Sequence, residues 1–256
     1  MNKLTAFASR NIKEILRDPL SYIFCLGFPL VMLVVMTIVN ESIPPEVGMT
    51  IFRIDNLSGG VAVFGQTFIM LFTAITVAGD RKGAFLVRMY ASPMKSVDFI
   101  LGYMFPMIVI SLVQTLITYI ASFIVGIITG TELSAAGLLI SLAASIPSAI
   151  MFVAFGMLFG TFFNEKSAPG VCSIIISLGS FLGGIWFDAD GTGGVMLTCC
   201  KCLPFYYCTK ALRASIALEF GFEKFVLPMI VVAACAAVIF AVSSAVFRMK
   251  MKADLA

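Results

Sequence analysis

The chain has 256 residues, of which 60% are hydrophobic and 12% charged, and its mean hydropathy is +1.05. That composition excludes a soluble globular domain and marks an integral membrane protein. The lack of any histidine excludes Ser-His-Asp and Cys-His catalysis and His-based zinc sites, and the net charge of +3 is a topology signal that gives nucleic-acid binding little support.

Apolar residues fall in blocks of about 20, the length that carries a helix across roughly 30 Å of hydrocarbon. Six blocks are expected to span, at 19–40, 59–79, 99–129, 135–163, 168–187 and 225–247. The strand alternation of an outer-membrane barrel is missing, so an all-α membrane fold is the remaining solution. Ahead of the first block, Leu4, Phe7, Ala8, Ile12, Ile15 and Leu16 recur at helical spacing while Lys3, Arg10, Lys13, Glu14 and Arg17 take the other face. Residues 1–18 thus read as an amphipathic helix in the inner interface, with a soluble amphipathic tail as the alternative. Pro19 ends or bends it as the chain enters the bilayer. The first apolar run begins near residue 20 and is long enough to span, so no cleavable signal peptide is expected.

Between the second and third blocks lies "AGDRKGAFLVRMYASPMKSVDF", residues 78–99. Asp80, Arg81 and Lys82 close the second span, and Phe85, Leu86, Met89 and Tyr90 form an apolar stripe with Arg88 and Lys95 off it. Ser92-Pro93 stops that helix. A short amphipathic helix of this kind suits a groove on a soluble partner, and its basic residues suit anionic headgroups equally well. The pattern by itself leaves both open.

Away from their ends the spans carry essentially no Asp, Glu, Lys or Arg, and Gln66 and Gln114 are their most polar residues. Proton- or sodium-coupled carriers usually hold a charge near the midplane, and no G-x-x-x-x-G-K-[ST] loop for ATP occurs in the chain. Energy for uphill transport would have to come from another subunit. Gly156 with Gly160, and Gly179 with Gly183, have the spacing that permits close helix contact, between subunits or within one bundle.

Segment 188–224 joins "DADGTGG" to "MLTCCKCLPFYYCTKALRASIAL" and is too apolar for a disordered external loop. Gly191, Gly193 and Gly194 loosen the chain there, and Phe205, Tyr206 and Tyr207 suit an interface belt. Cys199, Cys200, Cys202 and Cys208 crowd into the same segment, while Cys25, Cys172 and Cys235 lie in spans. Without histidine or a clean C-x-x-C pair they read as small apolar residues more than as a metal or redox site, and a disulfide would need an oxidising outer compartment. With six spans the two termini share a side that holds twelve of the seventeen basic residues. Both termini are therefore expected in the cytoplasm.

Three stretches in chain order resemble the permeases of the ABC type-2 exporter family. "RNIKEILRDPLSYIFCLGFPL" is similar to its N-terminal elbow helix and first span, at Arg17, Pro19 and Pro29. "DRKGAFLVRMYASPMKSVDFILGY", with Phe85, Leu86, Arg88, Met89, Ser92 and Pro93, resembles its cytoplasmic coupling segment. "LPFYYCTKALR" resembles its L-P-x-x-Y-x-x-D-A-x-R, at Leu203, Pro204, Tyr207, Ala211 and Arg213, but Lys210 stands where relatives often have an acidic residue. That departure puts a local ion pair with Arg213 in doubt.

The resemblance implies one permease domain over 1–256, with an elbow helix at 1–18, a coupling segment at 80–97 and short external helices over 188–224 that dip back into the outer leaflet. It implies contact with an ABC ATPase subunit through Arg81, Lys82, Phe85, Leu86, Arg88, Met89, Tyr90, Ser92 and Pro93. It also implies pairing as a homodimer or heterodimer, and export of a drug, peptide antibiotic, lipid-linked glycan or ion. ATP and Mg would be used by the partner, and this chain is expected to bind no cofactor or metal and no nucleic acid. The location implied is a bacterial inner or plasma membrane, in contact with lipid. A single bundle with apolar faces is expected to lack a polar interior, so cargo is expected to pass between two copies along spans one, two and five. Gln66, Gly179 and Gly183 would line that path, with Pro204, Tyr207 and Arg213 in an outer gate. A secondary carrier or channel would need a midplane charge or filter, and a membrane enzyme would need polar residues converging at one leaflet.

Overall fold

The protein is described here from a computed structural model covering residues 3–44, 49–82 and 96–253. Among these residues all regular structure is helical. Helix α1 (Lys3–Arg17) leads through Asp18, which caps the next helix by accepting from the Leu20 N–H, into α2 (Pro19–Ser42), which includes a π-helical turn at Ile23–Gly27. Then come α3 (Ile54–Lys82), α4 (Ser96–Thr129) and α5 (Ala135–Phe162), the last interrupted at Ser145 just before Pro147. Helix α6 (Ala168–Leu182) is followed by three short helices, α7 (Ala189–Thr192), α8 (Gly194–Lys201) and α9 (Pro204–Ile216). A second π-helical turn, Phe222–Val226, starts the long α10 (Leu227–Ala253).

Among the described residues five helices are long and apolar enough to cross a membrane: Pro19–Ser42, Ile54–Lys82, Val97–Thr129, Ala135–Phe162 and Phe222–Lys250. The block expected at 168–187 is shorter than the sequence suggests. Gly184, at φ +64°, turns the backbone out of the helix, and α6 keeps 15 residues, about 22 Å of rise. Its flanks still meet opposite ends of α3. Glu165, before α6, pairs with Lys82 at 2.9 Å, and Ile185, after it, packs on Gly60.

Helix α3 is the axis of the bundle. Of its most apolar window 83% is buried, against 17% in α2 and in the last helix, so the sequence's most apolar segments lie at the periphery and a less apolar one at the centre. In lipid, helices gain little by hiding apolar surface from one another and associate through close packing and polar contacts. Both occur along α3. On α5, Gly156 and Gly160 let the backbones approach so closely that an added methyl would collide with the carbonyl oxygens of Met70 and Ala74.

Helix α1 packs on the start of α4. Its buried stripe is Phe7, Ala8, Asn11 and Ile15, with Phe7 edge-on to the rings of Phe99 and Tyr103 and the Asn11 amide donating to the Gly102 carbonyl at 2.9 Å. The expected apolar face is thus turned: Leu16 is exposed, and the polar Asn11 sits at the centre of the contact. The reason is that α4 offers Asn11 a hydrogen-bond acceptor, which a lipid surface would not.

Gly156→Ala should lower the midpoint of denaturation in mixed micelles by an amount matching about 1–3 kcal/mol of overpacking. Gly170→Ala, where a side chain would meet nothing within 4 Å, should be neutral or slightly stabilising. Equal effects from the two would refute the close α3–α5 contact.

Candidate functional site

Several of the residues singled out in the sequence lie at the two ends of α3. At one end, α9 begins at Pro204, which tolerates the first helical position because its missing N–H has no partner there anyway. That start puts Phe205, Tyr206, Thr209 and Arg213 toward the bundle. Arg213 donates from Nε to the Asn56 carbonyl at 2.8 Å, from Nη1 to Gly184 at 2.9 Å and from Nη2 to Ile185 at 3.3 Å. It therefore ties the first turn of α3 to the turn that ends α6. The planar fork of arginine can serve three carbonyls at once, which the single ammonium of lysine cannot do in this geometry. Burial pushes the guanidinium down to about 10 while Asp188, Asp190 and Asp55 oppose the shift, so it stays cationic at neutral pH.

One turn earlier on α9, Lys210 donates to the Tyr206 hydroxyl at 2.9 Å and lies 3.4 Å from Asp190, and Tyr206 in turn donates to Asp190 at 2.5 Å. Lys210 thus takes its acid from α7 and not from its own helix. A cavity of about 270 Å³ opens over this group, with Asn56, Asp188, Asp190, Tyr206, Lys210 and Arg213 among its walls. Gly179 on α6 faces the Phe205 ring, 3.5 Å from where its side chain would start, Gly183 just after α6 faces the Gly179 carbonyl and Phe205 Cβ, and Tyr207 stands edge-on to Tyr206. Gly179, Gly183, Pro204, Tyr207 and Arg213 are thus brought to one corner, where the two glycines serve packing within the chain.

Gln66 is not part of that corner. It is fully buried at mid-length on α3, where its Oε1 accepts from Ser148 at 2.7 Å and its Nε2 makes long contacts of 3.4 and 3.5 Å to Thr115 and the Ser145 carbonyl. The expectation of a bundle without a polar interior is therefore corrected. Ser111, Gln114, Thr115, Thr118 and Ser122 of α4 are all buried, and the Tyr119 and Ser141 hydroxyls meet at 2.6 Å. The signal was in the sequence: these α4 residues recur at i, i+3, i+4, i+7 and i+11, one polar face on an otherwise apolar helix.

At the other end of α3, Asp80 is buried and receives the Arg10 guanidinium in two hydrogen bonds of 2.5 and 2.8 Å, together with the Tyr103 hydroxyl at 2.7 Å. Arg10 also pairs with Glu14 at 2.9 Å. The bond to Asp80 holds the Arg10 pKa above its ordinary value, and burial raises that of Glu14. Arg81 donates to the Gly160 and Thr161 carbonyls at the end of α5, and Lys82 to Glu165 in the following turn. Two expected ATPase contacts, Arg81 and Lys82, thus bond within this chain to the end of α5 and to the turn that follows it. The others, Phe85, Leu86, Arg88, Met89, Tyr90, Ser92 and Pro93, lie outside the described residues. Asp80 as a shared acceptor and Tyr103 as its donor were not found from sequence, because a carboxylate at the end of a span looks like any interfacial charge.

Arg213→Lys should weaken this corner by about 1.5–3 kcal/mol, the weight of hydrogen bonds to a charged group. In a chain keeping only Cys200, which is fully buried beside Tyr206 and Ala189, both Arg213→Lys and Arg213→Met should speed its modification by a thiol reagent. An unchanged rate in Arg213→Met would show that the three carbonyl bonds do not hold the corner.

Comparison with known proteins places these features in a family. A search of curated proteins finds no match. A family model described as ABC-2 type transporter matches residues 2–217, a stretch that runs from α1 through α9 and so contains both polar ends of α3. Because that match covers most of the chain, the protein belongs to the ABC-2 type transporter family and is a membrane permease component of an ABC transporter.

Proposed function

We propose that the chain is the permease subunit of an ATP-driven exporter for a hydrophobic or amphipathic cargo, with ATP hydrolysed by separate ATPase subunits. Family membership implies the ABC ATPase partner. The observation that carries the rest is the way α3 ends. Asp80, Arg81 and Lys82 are joined to α1, α4, α5 and the turn before α6, immediately before residues 83–95. A partner that pushed on 83–95 would move four parts of the bundle together, which is what transmission of an ATPase stroke requires.

In this reading both termini and the 80–97 segment face the cytoplasm, and the 168–187 block completes a six-pass chain. The corner around Pro204 to Arg213 forms part of the outer gate. Pairing of two permeases is supported by the unpartnered outer faces of α2 and α6, where Val31, Val34, Ile38, Ile174, Leu178 and Phe181 are exposed. Cargo would pass between the copies along those faces, and the buried Gln66 would stabilise the bundle without touching it. Lipid-linked glycans or ions remain alternative cargoes for the same architecture. A secondary carrier or channel is the alternative from another class.

Copurification with a P-loop ATPase is the direct test of the reading. Arg88→Glu, or Asp in place of both Phe85 and Met89, should keep the chain in the membrane while separating ATP hydrolysis from transport. Normal transport by these variants with the ATPase bound would reject the coupling role.

Topology has its own measurement. In a cysteine-free background, single cysteines at Asn2 and Ala253 should resist an impermeant thiol reagent in intact cells, and one at Asn56 should react. Labelling of either terminus from outside would reject the six-pass arrangement.

A further inference from the structure

The cavity of about 270 Å³ beside α9 is walled by three carboxylates, Asp188, Asp190 and Glu219, and three cations, Lys210, Arg213 and Lys224. Four of these six charges are matched within the chain. Lys210 lies 3.4 Å from Asp190, and Lys224 donates to Glu219 at 2.7 Å. Arg213 and Asp188 are left over, since neither forms an ion pair among the described residues.

The bonds that these two do make leave their charges standing. Arg213 uses three of its five N–H groups on the carbonyls of Asn56, Gly184 and Ile185, which satisfy hydrogen bonds but do not neutralise a guanidinium. Asp188 accepts the Gly191 N–H through Oδ1, and its Oδ2 has no donor among the described residues. Asp188 is exposed and Arg213 half-buried, and both belong to the wall, so a molecule in the cavity can meet them. A half-buried cation without a counterion is costly, and a bound anion would relieve it. A simple anion, however, would be repelled by Asp188, and a simple cation by Arg213. The ligand that suits both carries one charge of each sign.

We propose that this cavity binds a small zwitterion, a primary ammonium joined by a short link to a carboxylate or phosphate, with the ammonium on Asp188 and the oxyanion on Arg213. The volume suits such a molecule. A cavity of about 150 Å³ holds benzene, so this one has room for about ten non-hydrogen atoms. A free amino acid and the ethanolamine phosphate headgroup of a lipid present the same chemistry. The site lies in the corner read above as part of a gate, but binding there needs neither an ATPase nor a second copy. Failure to bind would leave the export reading standing, and failure to export would leave the binding standing.

The test uses the full chain in phosphatidylglycerol nanodiscs, without an ATPase. It is titrated with two zwitterions, β-alanine and phosphoethanolamine, and with their singly functional analogues propionate, ethyl phosphate and ethanolamine. At least one zwitterion should bind saturably and about tenfold more tightly than either of its analogues, the weight of one hydrogen bond between charged groups. Asp188→Asn keeps a cap for the Gly191 N–H and removes the charge. It should lower the zwitterion's affinity to that of the matching anion, while the modification rate of Cys200 stays at the parent's and reports an intact corner. Ala217→Phe, at the exposed rim of the cavity, should weaken binding of both zwitterions. Zwitterions that bind the parent no better than their analogues, a preference that survives Asp188→Asn, or binding untouched by Ala217→Phe would each overturn the proposal. Displacement of phosphoethanolamine by phosphatidylethanolamine placed in the nanodisc assigns the site to a lipid headgroup. Displacement by β-alanine alone assigns it to a soluble zwitterion.

Discussion

Inside a bilayer a polar group that is not satisfied by the protein is not satisfied at all, and α3 shows how this chain meets that constraint. It carries an acceptor at each of three depths, and each is taken by different helices. The Asn56 carbonyl is held by Arg213 of α9, the Gln66 amide by Ser148 of α5, and Asp80 by Arg10 of α1 and Tyr103 of α4. The arrangement of helices around α3 follows from these three points, because apolar contact gives helices in lipid little preference for one neighbour over another. Close packing then fixes the distances, as the glycines of α5 do against Met70 and Ala74.

The three points differ in what they demand energetically. The Gln66 cluster consists of neutral hydrogen bonds, each worth about 0.5–1.5 kcal/mol net. Asp80 and Arg10 are a buried and a half-buried charge, and removing either would strand the other, a loss of about 3–5 kcal/mol for buried pairs that shrinks here because Arg10 reaches water. Charges at the two ends and neutral groups in the middle follow the depth profile of a membrane. The ends are also where α3 is tied to flanking segments. Its middle is a rigid connector, so displacement at one end is carried to the other by a single continuous helix of 29 residues.

Most of the helical architecture was legible in the sequence because a run of about 20 apolar residues has one solution in lipid. The failures have separate causes. Hydropathy cannot distinguish a helix that faces lipid from one that faces protein, so the peripheral α2 and the central α3 looked alike, although Gln66, Thr67 and Thr73 on α3 already pointed inward. The 168–187 block ended early because Gly183-Gly184 count as neutral in a hydropathy window yet release the backbone from the helix. Asn11 was passed over because one polar residue on an apolar stripe looks like noise until the Gly102 carbonyl is seen opposite it. At the α9 corner, Pro204, Tyr207 and Arg213 were found through their resemblance to a family pattern, whereas Asp188 and Asp190 were not, since they act across a turn that no local spacing predicts.

Lys210 shows how this corner balances a second cation beside Arg213. An acid at that position on α9 would sit one turn from Arg213 and could pair with it along the same helix face. Here the position is basic, and two cations on neighbouring turns would repel. The neighbouring carboxylates come from α7, where the Asp190 side chain meets both Lys210 and Tyr206 and the Asp188 side chain caps the Gly191 N–H. Arg213, without an acid on its own helix, is held by carbonyls that the end of α6 leaves exposed. These bonds run between α9, α7 and the end of α6. A pair confined to one helix would stabilise that helix alone, whereas the observed set joins three segments, so α9 cannot shift relative to α6 without breaking bonds at Gly184 and Ile185.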